Sequence, residues 1–217
     1  MNNSILLVAL LFLAVVDPFF PPPHLGNMAF LAVLAFVLIA AVWVVSRHFL
    51  TRIVGLLLGM STWIAALVLH FTYSDPLSEL FLVIFATFLT FTAVLVLRQV
   101  LGGDVVTGDT IAGAMCFYIL LAVIMALVFS LLELNHPGSF LDNGRPLRPA
   151  GARARSLVPE LLYLSAATLT TLGYGDVVPV TPQARMLAVV EAMIGQLYLA
   201  VLIARLVGLR AAPGQRT

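Results

Sequence analysis

Residues 170–176 read Thr-Thr-Leu-Gly-Tyr-Gly-Asp, a polar stretch set between two long apolar segments. For the carbonyls of Thr171, Leu172, Gly173 and Tyr174 to point the same way, successive residues must alternate between right- and left-handed backbone conformations. The left-handed half costs an ordinary residue roughly 1–2 kcal/mol and is nearly free for Gly173 and Gly175. Taken alone, Gly-Tyr-Gly also reads as a turn. Its surroundings favour the ladder of carbonyls, because Thr170 and Thr171 precede it, Asp176 follows it, and a connector between apolar segments has no need of this pattern.

The composition says which solvent the chain is built for. Of its 217 residues 62% are hydrophobic and only 10% charged, and the mean hydropathy is +1.10. Such a chain does not form a soluble globule, so its apolar runs read as membrane spans. Six stretches qualify or nearly so: 5–20, 28–45, 53–71, 77–97, 110–134 and 183–209. A span needs roughly 20 apolar residues, with 17 near the lower limit. The first stretch is short and broken by Asp17-Pro18; lacking a basic residue before it and a small-residue cleavage site, it reads as a retained helix rather than a signal peptide.

Arginines set the orientation. Arg47 and Arg52 lie between the second and third spans, Arg98 follows the fourth, and Arg205, Arg210 and Arg216 end the sequence. Placing them in the cytoplasm puts both termini inside, in a multi-pass protein of the cell membrane. Arg145, Arg148, Arg153 and Arg155 then fall in an outer loop. A re-entrant segment between the fifth and sixth spans accounts for that exception.

That segment reads as a short helix from Ser156, its expected cap, to about Thr170, with Pro159 and Glu160 suited to a first turn. A helix of roughly 12 residues is ~18 Å long, too short to span. Buried at half depth, it would aim the negative end of its dipole at the ladder of carbonyls and favour a cation there.

The stretch Thr171-Leu172-Gly173-Tyr174-Gly175-Asp176, with the segment around it, resembles the potassium channel superfamily over roughly residues 110–209. The resemblance implies an all-α membrane protein with six transmembrane helices. A re-entrant pore helix and selectivity-filter loop lie between helices five and six, and four copies surround one axis. In this pattern Thr171, Leu172, Gly173 and Tyr174 bind dehydrated potassium, the permeant ligand, and no cofactor is implied. Thr170, Gly175 and Asp176 support the filter, and the Tyr174 ring braces it from outside. Three positions depart from the family pattern: Leu172 replaces a commoner valine or isoleucine, Ala167 stands where some relatives carry a glutamate that pairs with the filter aspartate, and Tyr163-Leu164 stand where many carry two aromatics. Gly195 falls where the family often has a hinge, though a helical glycine serves equally as a packing spacer. Glu191 is the one acid deep in the last span; as a charge it would face a cavity or partner, and a neutral structural role suits it better.

Residues 1–98 read as a four-helix membrane domain resembling a voltage sensor, 99–109 as a cytoplasmic linker, 110–209 as the pore domain and 210–217 as a short tail. A sensor moves charge through the field at about 2.3 kcal/mol per elementary charge per 100 mV. The fourth span has no basic residue, and Arg98 is expected beyond its end. Gly55 and Gly59 read as a tight helix contact. His24 and His70 read as solvated or hydrogen-bonded side chains, and Cys116 as a packed thiol. The sequence has no nucleophile triad, phosphate loop or Cys/His cluster, which argues against an enzyme, and nothing in it suggests nucleic acid as a partner. The reading is a homotetrameric potassium channel in contact with lipid and with weak or no intrinsic voltage gating. Alternatives are gating by lipid, tension or pH through the first four helices, or a non-conducting accessory subunit.

Overall fold

The computed structural model describes residues 3–16, 49–72, 74–102, 106–148 and 157–211. Six helices and a small sheet occupy these segments: α1 (Asn3–Val16), α2 (Phe49–Phe71), α3 (Asp75–Gly102), α4 (Gly108–Asn135), β1 (Phe140–Asp142), β2 (Arg145–Pro146), α5 (Val158–Leu169), β3 (Val177–Pro179) and α6 (Pro182–Ala211). Four of them (α2, α3, α4 and α6) are long and apolar enough to cross a membrane, whereas α5, with 12 residues, is not. The chain is thus a mostly helical, multi-pass membrane protein. The second expected span (28–45), Asp17, His24 and Ser156 lie outside the described residues, as does the side chain of His70.

Helix α4 is the hub, packing against α1, α3, α5 and α6. Its apolar residues run round its whole circumference, and buried positions from Ala112 to Leu134 follow. A helix hydrophobic on every side has neighbours on several sides. Thr107 caps it reciprocally with Thr110, each side chain meeting the other's backbone N–H. Asn3 fixes α1 at that same end. Its backbone N–H and side-chain amide donate to Asp109 at 3.0–3.2 Å, and a Cβ on Gly113 would meet Asn3 Nδ2 at 2.8 Å. Cys116 is buried there, its thiol donating to the Asn3 carbonyl at 3.2 Å. On α2, which packs against α3, Gly55 and Gly59 are both buried.

Two expectations on connections change. Helix α3 continues to Gly102 and α4 begins at Gly108, so the linker is shorter than residues 99–109. Arg98 consequently lies within α3, exposed about a turn from its end. The backbone gains hydrogen bonds by continuing the helix through Gln99-Val100-Leu101, and Val100 is buried.

The fold is also not purely helical. After α4 the chain forms a hairpin with Leu141 opposite Pro146 and Asp142 opposite Arg145. Asn143 (φ +46) and Gly144 (φ +79) make the two-residue turn, as a tight hairpin with two left-handed central residues requires. Strand β3 pairs antiparallel with β1, placing Leu141 opposite Val178 and Asp142 opposite Val177. The Phe140 ring is fully buried and packs on Phe129 of α4, with centroids 5.2 Å apart.

Candidate functional site: the 170–176 loop

Helix α5 delivers the chain to the loop. Its first turn contains Pro159 and Glu160 as expected, but its N-cap is Leu157, with no side-chain cap. It ends at Thr170, whose N–H and hydroxyl both donate to the Ala166 carbonyl, at 3.0 and 2.7 Å. Thr171 N–H then donates to Thr168 O at 3.2 Å and Leu172 N–H to Ala167 O at 2.8 Å. The chain is therefore tied to the last turn of α5 until Leu172 and runs free of such bonds beyond it. The carbonyl end of α5, with its partial negative charge, lies at the base of the loop.

Backbone handedness is the central observation. Thr171 has φ +58, Gly173 φ +56 and Gly175 φ +80, while Leu172 and Tyr174 between them are not left-handed. Every second residue is left-handed, which is the alternation that same-side carbonyls require. The glycines were legible as such in the sequence; Thr171 was not. A β-branched residue at positive φ is a genuine outlier, and such strain costs on the order of 1–3 kcal/mol. The two bonds that close the end of α5, Thr171 N–H to Thr168 O and Leu172 N–H to Ala167 O, impose it, since this helix ending places the residue after the cap in the left-handed region. Within one protomer the loop itself is open: Thr170 through Gly175 are exposed, with Leu172 at 53% and Tyr174 at 72%.

Past the loop the chain is fastened again. Tyr163 Oη donates to the Asp176 carboxylate, 2.9 Å from each oxygen. Position 167, where a glutamate would have supplied that partner, is Ala, so Tyr163 on the preceding turn of α5 takes the task. Partial burial works against ionisation of Asp176, but the Tyr163 bond and the backbone N–H groups of Val177 and Asp176 outweigh it and hold the carboxyl below its ordinary pKa. This anchor persists through neutral pH and is lost as the pH falls through that lowered value. The Asp176 carbonyl accepts from Asn143 N–H at the hairpin tip, at 2.8 Å.

Several side chains beneath the site were not singled out by sequence reasoning. Tyr118 of α4 donates to the Leu169 carbonyl at 2.6 Å, holding the last turn of α5 from the side. Glu133, fully buried, accepts from the N–H groups of Gly138 (2.9 Å) and Phe140 (3.0 Å) and so fixes the hairpin to α4. The Asn143-Gly144 pair carried a readable hairpin signal. Tyr118 and Ser165 carried none, because the backbone carbonyls they bond lie 51 and 43 residues away in the chain. Glu133 carried none, because its partners are ordinary N–H groups five and seven residues on that come within its reach only once the chain turns back.

Gly195 and Glu191 lie behind the loop rather than in it. A Cβ at Gly195 would fall 2.6 Å from Leu169 Cδ2, so α6 approaches the end of α5 closely at that point. Of its two expected roles, the packing spacer is the one this contact gives a physical basis. Glu191 is fully buried and meets the Ser165 hydroxyl of α5.

Residues 153–209 match the family Ion_trans_2, described as an ion channel. The LctB protein of Geobacillus stearothermophilus is 38% identical over 82 residues, which is 38% of this chain and 58% of that protein. LctB of Bacillus caldotenax is 33% identical over 91 residues, 42% of this chain and 65% of that protein. A two pore potassium channel, c, of Oryza sativa subsp. japonica is 32% identical over 71 residues, or 33% of this chain and 14% of that protein. The chain thus spans less than two thirds of the LctB proteins it matches. Its α5, the loop after it and α6 together resemble an ion channel domain.

Proposed function

We propose that the protein is a potassium-selective channel in which four copies of the 170–176 loop surround one axis. The observation that carries this reading is the left-handed backbone at Thr171, Gly173 and Gly175, set at the carbonyl end of a half-length helix. Four such loops would present the carbonyls of Thr171, Leu172, Gly173 and Tyr174, and the Thr171 hydroxyl, as a substitute for the hydration shell of potassium. Thr170, Gly175 and Asp176 would keep the loop in place.

One loop cannot encircle an ion, and a closed ring calls for identical copies. Exposure of Leu172, Tyr174 and much of α6, including Met186, Met193 and Leu197, supports assembly on this face. Irregular backbone at membrane depth is tolerated only where protein buries it or water lines it, and a tetramer supplies both. The test is recording from purified protein in planar bilayers, alongside a mass measurement. The reversal potential should follow potassium and ignore sodium, on a particle of four subunits. Equal permeability to both ions, or a conducting monomer, refutes the reading.

The remaining part of the proposal is weak or absent voltage gating. Helix α3 has no basic residue before Arg98. If Arg98 crossed the whole field in four subunits it would move at most about four charges, or roughly 9 kcal/mol per 100 mV. Its place about a turn from the end of α3 limits the fraction crossed. Open probability should vary only gently with voltage, and Arg98→Gln should leave that curve nearly unchanged. A steep curve that flattens in the variant would establish α3 as a sensor.

A further inference from the structure

Behind the loop, buried groups from three helices meet at Ser165. The Ser165 hydroxyl of α5 lies 2.9 Å from the Ala122 carbonyl of α4 and also in hydrogen-bond contact with Glu191 Oε1 of α6. Ser165 and Glu191 are fully buried. The second carboxyl oxygen, Oε2, is equally enclosed and has no partner.

A count of protons decides what this cluster is. Ser165 has one hydroxyl proton and touches two groups, and the Ala122 carbonyl can only accept. If the hydroxyl proton goes to Ala122, the contact with Glu191 holds a proton only when the carboxyl supplies it. If Glu191 were ionised, one of the two contacts would set oxygen against oxygen with nothing between. Oε2 would then be an enclosed anionic oxygen without a donor, which is far costlier than an enclosed neutral one. The groups facing Glu191 do not compensate. Helix α4 presents the Tyr118 phenol, whose hydroxyl is committed to the Leu169 carbonyl, and α5 presents Ser165. Among the described residues Glu191 has no ion-pair partner.

We propose that Glu191 is held as an uncharged carboxylic acid and is a positioning residue for the loop, donating to Ser165, which donates in turn to the Ala122 carbonyl. The chain has one direction and joins α6 to α5 and α4 at a single level. Ser165 stands one turn before Leu169, the last residue of α5 before the loop. A shift of α6 therefore drags α5 and the base of the loop with it. The effect on current rests on the channel reading above, whereas the protonation of Glu191 does not.

The experiment compares wild type with Glu191→Gln in lipid, by infrared spectroscopy and by current. At neutral pH the wild type should show the carbonyl stretch of a protonated carboxyl, and the glutamine variant should lack it. No such band in wild type, or a band that survives in the variant, overturns the proposal. Glutamine retains a donor at the same place, so its potassium current should stay within about twofold of wild type. Glu191→Ala leaves Ser165 without that donor and should lower the current about tenfold or more. Equal loss in the glutamine and alanine variants, with the glutamine variant folded by its unfolding temperature, overturns the positioning role. Because the band is read without any current, failure of the channel reading would leave it in place. Failure of the proton assignment would remove it.

Discussion

Replacing Gly173 with alanine is expected to abolish potassium-selective current while the protein still assembles. Gly173 has φ +56, in the region an L-residue enters only with strain. No atom lies within 4 Å of where a Cβ would sit, so space in the protomer is not the obstacle. The obstacle is backbone preference, roughly 1–2 kcal/mol per chain. Four chains acting together would multiply this to about 4–8 kcal/mol against the aligned carbonyls. The peptide would relax by turning its carbonyl away from the axis, and a carbonyl turned away cannot replace a water of hydration. Bi-ionic recordings should show no current, or current without preference between potassium and sodium. Retained selectivity at wild-type conductance would mean that the left-handed backbone at this residue is not what orders the ladder. Substitution at Gly144, also left-handed but at the hairpin tip, serves as the comparison, since strain there should leave selectivity intact.

The second large effect is expected at Gly195. Alanine there would set a methyl 2.6 Å from Leu169 Cδ2, and Leu169 is itself 1% exposed, so its side chain has little room to turn aside. Overpacking of this kind typically costs about 1–3 kcal/mol, and Gly195→Val should cost more. Because Leu169 is the last residue of α5, and Tyr118 holds its carbonyl, the displacement would pass straight into Thr170 and Thr171. Gly195→Ala should therefore lower both the unfolding temperature and the potassium current. A second substitution, Leu169→Ala, should restore part of each by making room for the methyl. That rescue separates the two roles a helical glycine can have. A hinge is stiffened by any side chain, and trimming Leu169 would not free it. Absence of rescue, with the double variant still folded, would favour the hinge.

The sequence by itself carried what depends on local chemistry and on solvent. Long apolar runs must be helices in lipid, because no water is there to satisfy the backbone; α2, α3, α4 and α6 follow, each extending a few residues past its apolar run. Pro159 and Glu160 announced a helix start, and the spacing to Thr170 announced a helix too short to cross. The two glycines at 173 and 175 marked a backbone that only they adopt cheaply. The three-dimensional structure decided the remainder, because it depends on which atoms the packed helices and turns bring within bonding reach. Thr171 is left-handed against its own preference, since its N–H and that of Leu172 turn back to Thr168 O and Ala167 O to close the end of α5, while Tyr118 of α4 holds the carbonyl of Leu169 just before it. Asp176 has its partner in Tyr163 because one turn of helix brings that hydroxyl to 2.9 Å where Ala167 has nothing to offer. The segment after α4 becomes the central strand of a sheet because β3 lies beside it as well as its hairpin partner β2, and Glu133 accepts N–H groups at its start. Gly195 and Glu191 each left two roles open in the sequence, hinge or spacer for the glycine and charged or neutral acid for the glutamate. Packing separates them: close approach to Leu169 calls for the smallest side chain at one position, and a buried hydroxyl at Ser165 gives the other its hydrogen-bond partner.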